Sequence, residues 1–153
     1  MKTHARAVII GGGAMGVGLL YHLAKEGWKD VVLVEKGELT SGSTWHAAGL
    51  IPHFIGSLNM AKIHCYGTDL YKKLEEETGQ ATGWHGCGSI RLAIDKDQVD
   101  WFHYVKGVLD QVGSECHLLG PNEISKVHPL LETQGFLMGA YTKGDGHTDP
   151  SGA

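Results

Sequence analysis

A short apolar strand followed at once by glycines and a helix is the feature that most constrains the fold of this chain. The stretch RAVIIGGGAMG opens with a continuous apolar run, which is typical of a parallel strand buried on both faces. From Ala14 to Glu26 apolar residues recur at helical spacing, and Gly27 supplies a stop signal. A second apolar run, DVVLVEK at 30–36, follows. This order predicts a βαβ unit, and therefore a parallel sheet in a Rossmann-like α/β fold.

The glycines of this unit form a G-x-G-x-x-G pattern at Gly11, Gly13 and Gly16. The pattern is weak alone, but here it follows a strand, opens a helix and precedes Glu35 at the end of the next strand, which is the context of a dinucleotide-binding turn. The start of the helix offers N–H groups to phosphates, and the Glu35 carboxylate can accept hydrogen bonds from an adenosine ribose. The sequence therefore predicts a dinucleotide site, without choosing between NAD and FAD.

The rest of the chain mixes helices and strands. An amphipathic helix is predicted over 57–77 with Ser57 as its N-cap, and a strand within GCGSIRLAID at 86–95. A helix ending at Gly113, a short helix that starts at Pro121 and a strand within 135–142 follow. The last residues read as the start of a further helix at Asp149, so we expect the fold to be incomplete, as in an N-terminal fragment.

Charge and composition exclude several classes of partner. A net charge of −4 gives no electrostatic reason to expect nucleic acid, and no apolar segment is long enough for a bilayer. Cys65, Cys87 and Cys116 are widely spaced without a C-x-x-C pair, and the histidines lack ligand spacing, so we expect neither disulfides nor a metal site. Because the first strand begins within a few residues of the start, we expect no leader peptide and a cytoplasmic protein.

The segment after Glu35, KGELTSGSTWHAAGLIP, is dense in small residues. A second glycine-rich and hydroxyl-rich run just past the ribose-binding acid favours a longer cofactor, with backbone amides along a pyrophosphate and a flat ring. This run and the βαβ unit before it resemble the dimethylglycine dehydrogenase and sarcosine dehydrogenase group of D-amino-acid-oxidase-like flavoproteins. The segments LYKKLEEETGQ, GSIRLA and GDGHTDPSG are similar to later parts of the same group, so the resemblance covers essentially the whole chain.

The resemblance implies FAD as the cofactor, bonded covalently to the histidine of GSTWHAAGL, which is His46 here. It places further FAD contacts on the glycine turn, on the end of the second strand and on the small-residue run. With the glycines already named, these are Ala14, Met15, Glu35, Lys36, Gly42, Ser43, Thr44, Trp45, His46, Ala47, Ala48, Gly49 and Leu50. Trp45 is interpreted as a packing residue rather than one that stacks on the flavin.

The resemblance also implies an activity and a division into domains. The activity is oxidative N-demethylation of a methylated glycine, with hydride transfer to flavin N5 and a one-carbon product at the oxidation level of formaldehyde. An electron-transfer flavoprotein and a tetrahydrofolate-binding part are implied as partner and further module. Residues 1–80 would begin the FAD-binding domain, 81–142 an α+β substrate domain, and 143–153 the return to the first domain. No catalytic residue is assigned within the chain.

Two alternatives stay open at this point. One is an NAD-dependent dehydrogenase in which the match around His46 is a coincidence. The other is a non-catalytic regulatory relative of the same fold. Outside the small-residue run, Arg91 is expected to form a structural ion pair more readily than to bind a substrate carboxylate, and His147 is a candidate neighbour of the cofactor.

Overall fold

The computed structural model describes residues 3–152, which divide into two compact units. The first unit ends at Gly49 and takes in the chain again from Asp149, and the second runs from Leu50 to Thr148. Each unit is a set of residues that pack against one another within residues 3–152. The predicted boundaries after residues 80 and 142 describe complete domains, so they stay a prediction.

The first unit contains the predicted βαβ motif. Strand β1 (Ala7–Ile10) is followed by helix α1 (Ala14–Lys25) and strand β2 (Val31–Val34), and the two strands pair in parallel. Gly27, two residues after the helix, has a φ of +77°, a left-handed conformation that glycine adopts without strain. The prediction of an α/β fold with a parallel start is confirmed.

The burial of β1 differs from the prediction. Ile9 is 7% exposed, whereas Val8 is 58% and Ile10 is 87% exposed. Successive side chains of a strand point to opposite faces, and within the described residues α1 packs against β1 and β2. The expectation that this strand is buried on both faces is therefore wrong for the residues described.

The second unit combines helices with two antiparallel sheets. Its elements in chain order are β3 (Leu50–Ile51), α2 (Leu58–Thr78), β4 (Ser89–Ala93), α3 (Lys96–Gln111), β5 (His117–Leu119), α4 (Pro121–Val127), β6 (Met138–Thr142) and β7 (Gly146–His147). The larger sheet has the order β4-β6-β5, and β3 pairs with β7. The predicted helices and the strands within 86–95 and 135–142 are confirmed, while the two-residue strands β3 and β7 had no prediction.

Helix α3 supplies more of the core of this unit than any other element, with Phe102, Val105, Val108 and Leu109 buried. Asp95 caps its start, since the carboxylate accepts a hydrogen bond of 2.8 Å from the Gln98 N–H. The buried face of α3 packs with α2 against the sheet residues Ala93 and Ala140. Phe54, in the loop between β3 and α2, meets Phe102 of α3 edge to face, with ring centroids 5.3 Å apart. This core fixes the loop that carries residues 52–55.

Past β7, residues 150–152 form a turn, and the helix expected to start at Asp149 stays a prediction. The backbone N–H groups of Ser151 and Gly152 both donate to Asp149, to its carboxylate and its carbonyl oxygen respectively. Asp149 therefore acts as the predicted cap, while Ala153 lies outside the described residues. Within residues 3–152 no helix combines the length and apolar character needed to cross a bilayer.

Candidate cofactor-binding site

The turn between β1 and α1 is built around glycine. Gly11 has a φ of +106°, which side-chain-bearing residues rarely adopt. A Cβ at Gly16 would run into the carbonyl oxygen of Gly11, and a Cβ at Gly13 would lie 2.9 Å from the Thr44 hydroxyl oxygen. Gly16 therefore permits the helix to pack closely on the turn, and Gly13 keeps the backbone accessible beside Thr44.

The start of α1 is left open for an anion. Gly13 occupies the N-cap without a side chain to bond the first N–H groups, and the first turn carries no acidic residue. The Ala14 N–H donates a 3.0 Å hydrogen bond to the Thr44 hydroxyl, and the Met15 side chain beside it is 88% exposed. Unpaired N–H groups together with the helix dipole make this end suited to a phosphate.

Glu35, which follows directly on β2, holds the turn from the other side. Its carboxylate accepts hydrogen bonds of 2.6 Å from the Gly12 N–H and of 2.9 Å from the Gly37 N–H. These two backbone donors hold the pKa of Glu35 below its usual value. An ionised carboxylate is therefore fixed about 20 residues past the glycine turn, as ribose recognition requires. Lys36 beside it is exposed.

The small-residue run follows as a series of turns from 39 to 46 in the first unit. Most of its side chains are exposed, with Thr44 and Gly49 partly buried. The His46 Nδ1 lies 3.0 Å from the Gly42 carbonyl oxygen, and the Trp45 and His46 ring centroids are 4.1 Å apart. Trp45 thus contacts His46, and 54% of its side chain stays exposed.

Several of the predicted site residues meet around the glycine turn. Glu35 reaches Gly12, Thr44 reaches Ala14, and the Thr40 N–H donates a 3.0 Å hydrogen bond to the Gly12 carbonyl oxygen. The remaining members of the small-residue run, Ser43, Ala47, Ala48 and Gly49, lie in the first unit, whereas Leu50 begins the second as part of β3. The contacts of Thr40 and Thr44 with the turn had no signal in the sequence beyond the density of small residues.

This arrangement fits a dinucleotide. A side chain at Gly13 or Gly16 would clash with its neighbours, so the backbone of the turn stays accessible. The first turn of α1 carries no acidic residue that would repel a phosphate. The Glu35 carboxylate, fixed beside the turn, is an acceptor of the kind that ribose hydroxyls need. Within residues 3–152 no group of three or more His, Cys, Asp or Glu side chains is placed to hold a metal ion.

The second unit contains a buried carboxylate that the sequence did not reveal. Asp145 is 1% exposed, and its carboxylate accepts hydrogen bonds from the His53 backbone N–H (2.8 Å), the Ser89 hydroxyl (2.5 Å) and the Thr142 hydroxyl (2.8 Å). The His53 Nδ1 lies 3.1 Å from it. Burial raises the pKa of Asp145, but these contacts together lower it below its usual value.

The two other residues singled out in the sequence lie in this unit. The Arg91 guanidinium lies over the Phe54 ring, 5.0 Å from its centroid, and no ion pair of Arg91 is found in the part of the chain that the structure describes. The expected ion pair is therefore replaced by a cation–π contact. His147 pairs with His85 in an isolated β-bridge, and their ring centroids are 5.1 Å apart.

Comparison with known proteins points to FAD-dependent oxidoreductases, in agreement with the dinucleotide site that the glycine turn indicates. Human mitochondrial dimethylglycine dehydrogenase is 53% identical over 149 residues, which cover 97% of this chain and 17% of the relative. Human mitochondrial sarcosine dehydrogenase is 36% identical over 153 residues, covering 99% of this chain and 17% of the relative. The chain thus spans about one sixth of the length of these curated relatives.

Among solved structures, the L-proline dehydrogenase from P. horikoshii superimposes with a TM-score of 0.89 at 27% sequence identity, covering 98% of this chain and 39% of that chain. Residues 6–153 match the FAD dependent oxidoreductase family. The family requires FAD, so the NAD-dependent alternative is wrong. With the fingerprint geometry, the family match shows that the chain belongs to the FAD-dependent oxidoreductase family, and over nearly its whole length the chain is similar to the dimethylglycine and sarcosine dehydrogenases.

Proposed function

We propose that the protein catalyses oxidative N-demethylation of a methylated glycine, dimethylglycine or sarcosine, and releases a one-carbon unit at the oxidation level of formaldehyde. The similarity to dimethylglycine dehydrogenase over almost the whole chain carries this proposal. When bound, FAD supplies the oxidising power by accepting hydride at N5 from the N-methyl carbon. The residues of this chain hold and orient that cofactor.

The cofactor is held by the first unit in this proposal. The open N-terminus of α1 binds the pyrophosphate, and the Glu35 carboxylate binds the ribose, keeping its hydrogen bond to the Gly12 N–H. The 3.0 Å contact between Ala14 N–H and Thr44 ties the start of the helix to the small-residue run. One cofactor therefore spans the glycine turn and the run that carries His46.

His46 is the proposed covalent attachment point. With Nδ1 donating its proton to the Gly42 carbonyl at 3.0 Å, the lone pair of the neutral imidazole lies on Nε2. That lone pair would be the nucleophile for a bond to the 8α-methyl carbon of the flavin; the carbon would lose a proton, and the electron pair would pass to the flavin ring and from there to the electron acceptor. The small neighbours Ala47 and Ala48 leave room beside the ring for a flat ligand.

The reaction needs an electron acceptor and a fate for the one-carbon unit. An electron-transfer flavoprotein is the proposed acceptor, and tetrahydrofolate is the proposed carrier of the one-carbon unit. Both rest on the resemblance to the dimethylglycine and sarcosine dehydrogenase group. Neither has a binding residue assigned in this chain.

The activity is tested with the full-length protein and an artificial electron acceptor. We expect dimethylglycine or sarcosine to reduce the acceptor, with one formaldehyde released for each two-electron reduction when folate is left out. Glycine, which lacks an N-methyl group, is the control and should give no formaldehyde. Absence of formaldehyde with both methylated substrates, in protein that contains flavin, would rule out the proposed reaction.

A further inference from the structure

The imidazole of His46 is oriented by two neighbours in the first unit. Its Nδ1 lies 3.0 Å from the Gly42 carbonyl oxygen, and the Trp45 ring packs against it with centroids 4.1 Å apart and ring planes at 39° to each other. No other hydrogen bond or ring contact of this imidazole is found among residues 3–152. Because both side chains are otherwise exposed, the Gly42 carbonyl and the indole are the groups that restrict the orientation of the ring.

The backbone that carries this ring pair is fixed to the glycine turn. Thr40 has a φ of +63°, a left-handed conformation that is costly for a β-branched residue. Its N–H donates a 3.0 Å hydrogen bond to the Gly12 carbonyl oxygen, and its own carbonyl oxygen accepts one of 3.3 Å from the Trp45 N–H. A strained residue that is held by two hydrogen bonds therefore sets the position from which the Trp45 side chain projects.

Formation of the proposed bond at Nε2 changes the charge of the imidazole. If Nδ1 keeps the proton that it donates to Gly42, the ring becomes a cation when Nε2 bonds to carbon. A cation within about 6 Å of a tryptophan ring centre is attracted to the negative face of that ring. The Trp45 indole already lies within this distance, so it favours the charged ring over the neutral one and lowers the barrier to attachment.

We propose that Trp45 is a positioning residue for the covalent attachment of FAD, which holds the His46 ring and stabilises the positive charge that the ring acquires. The inference rests on the attachment proposed at His46. In that step Nε2 bonds to the 8α-methyl carbon, the carbon loses a proton, and the electron pair passes through the flavin ring to dissolved oxygen or another electron acceptor. Trp45 itself transfers neither a proton nor an electron.

The test measures attachment separately from binding. Full-length protein produced in riboflavin-starved cells is mixed with excess FAD in air-saturated buffer. Total bound flavin is then measured by absorbance after removal of free FAD, and attached flavin by fluorescence in a denaturing gel over time. We expect Trp45→Leu to bind FAD but to attach it about tenfold more slowly, because leucine keeps apolar bulk without an aromatic face. Trp45→Phe should attach FAD faster than Trp45→Leu, because it restores such a face.

Trp101→Leu is the matched control. Trp101 is 49% exposed, close to the 54% of Trp45, but it lies in the second unit, so this variant should attach FAD at the wild-type rate. If Trp45→Leu does not fold, Trp45→Met takes its place with the same expectation.

Two results would overturn the role of Trp45 while leaving the attachment itself intact. One is an equal attachment rate in the wild type and in the variant without an aromatic face, and the other is a Trp45→Phe variant as slow as that variant. A wild-type protein that binds FAD but gives no fluorescent band would instead refute the attachment at His46, and this inference with it.

Discussion

Replacing Gly16 by alanine should sharply lower the flavin content of the protein, because FAD has to bind at the glycine turn before the proposed attachment at His46 can form. The added methyl group would overlap the Gly11 carbonyl oxygen, and this oxygen belongs to the backbone of the turn. Either α1 moves away from the turn or the turn changes shape, at a cost of about 3 kcal/mol. At 1.4 kcal/mol per factor of ten, that strain weakens FAD binding by roughly a hundredfold.

The matched control for Gly16→Ala lies on the same helix. A Cβ at Gly18 would meet nothing within 4 Å, and alanine favours a helix interior over glycine by about 1 kcal/mol. Gly18→Ala should therefore leave flavin content unchanged and the helix slightly more stable. The measurement is the flavin absorbance per mole of purified full-length protein. A Gly16→Ala variant with wild-type flavin content would contradict the role assigned to the glycine turn.

Replacing Asp145 by asparagine should destabilise the second unit by about 3 kcal/mol at neutral pH. The carboxylate joins the loop at His53 to β4 through Ser89 and to β6 through Thr142. Removing its charge leaves the buried donors of His53, Ser89 and Thr142 with a poorer acceptor, and it leaves the His53 ring without the carboxylate 3.1 Å from its Nδ1. The measurement is urea unfolding followed by tryptophan fluorescence, since Trp84 and Trp101 both lie in this unit.

The effect of Asp145→Asn depends on pH in a defined direction. Because the pKa of Asp145 is lowered in the folded protein, the ionised carboxylate stabilises the fold above its unfolded pKa of about 4. That stabilisation is lost as the pH falls through the folded pKa. The difference in unfolding free energy between wild type and Asp145→Asn should therefore shrink below pH 4.

Asp100→Asn, on the exposed side of α3, is the control and should change stability by less than about 0.5 kcal/mol. An equally small effect of Asp145→Asn at pH 7 would disprove its structural role.

The elements that the sequence predicts well are those with a local cause. Continuous apolar runs mark β1 and β2, and apolar residues at helical spacing mark α1 between them. Stop signals at Gly27 and Gly113 mark helix ends that the structure contains. The glycine roles also follow from local geometry, since Gly11 needs a positive φ and Gly16 needs close approach. These features depend on residues within a few positions of each other.

The features that escaped prediction depend on contacts between distant residues. Strands β3 and β7 are two residues long, too short for any periodicity, and they exist because Leu50 pairs with His147. The Asp145 carboxylate bonds His53, 92 positions earlier, and Ser89, 56 positions earlier. The exposure of Ile10 likewise depends on which elements pack against β1. The apolar run of the strand itself does not specify those neighbours.

The covalent attachment of FAD at His46 is tested most directly by flavin fluorescence of the full-length protein in a denaturing gel. We expect a fluorescent band for the wild type and a dark band for His46→Gln, with FAD in the latter released by denaturation. His103→Gln, which changes an exposed histidine of the second unit, should stay fluorescent. A dark wild-type band in protein that contains flavin, or a fluorescent His46→Gln band, would show that His46 does not hold the cofactor.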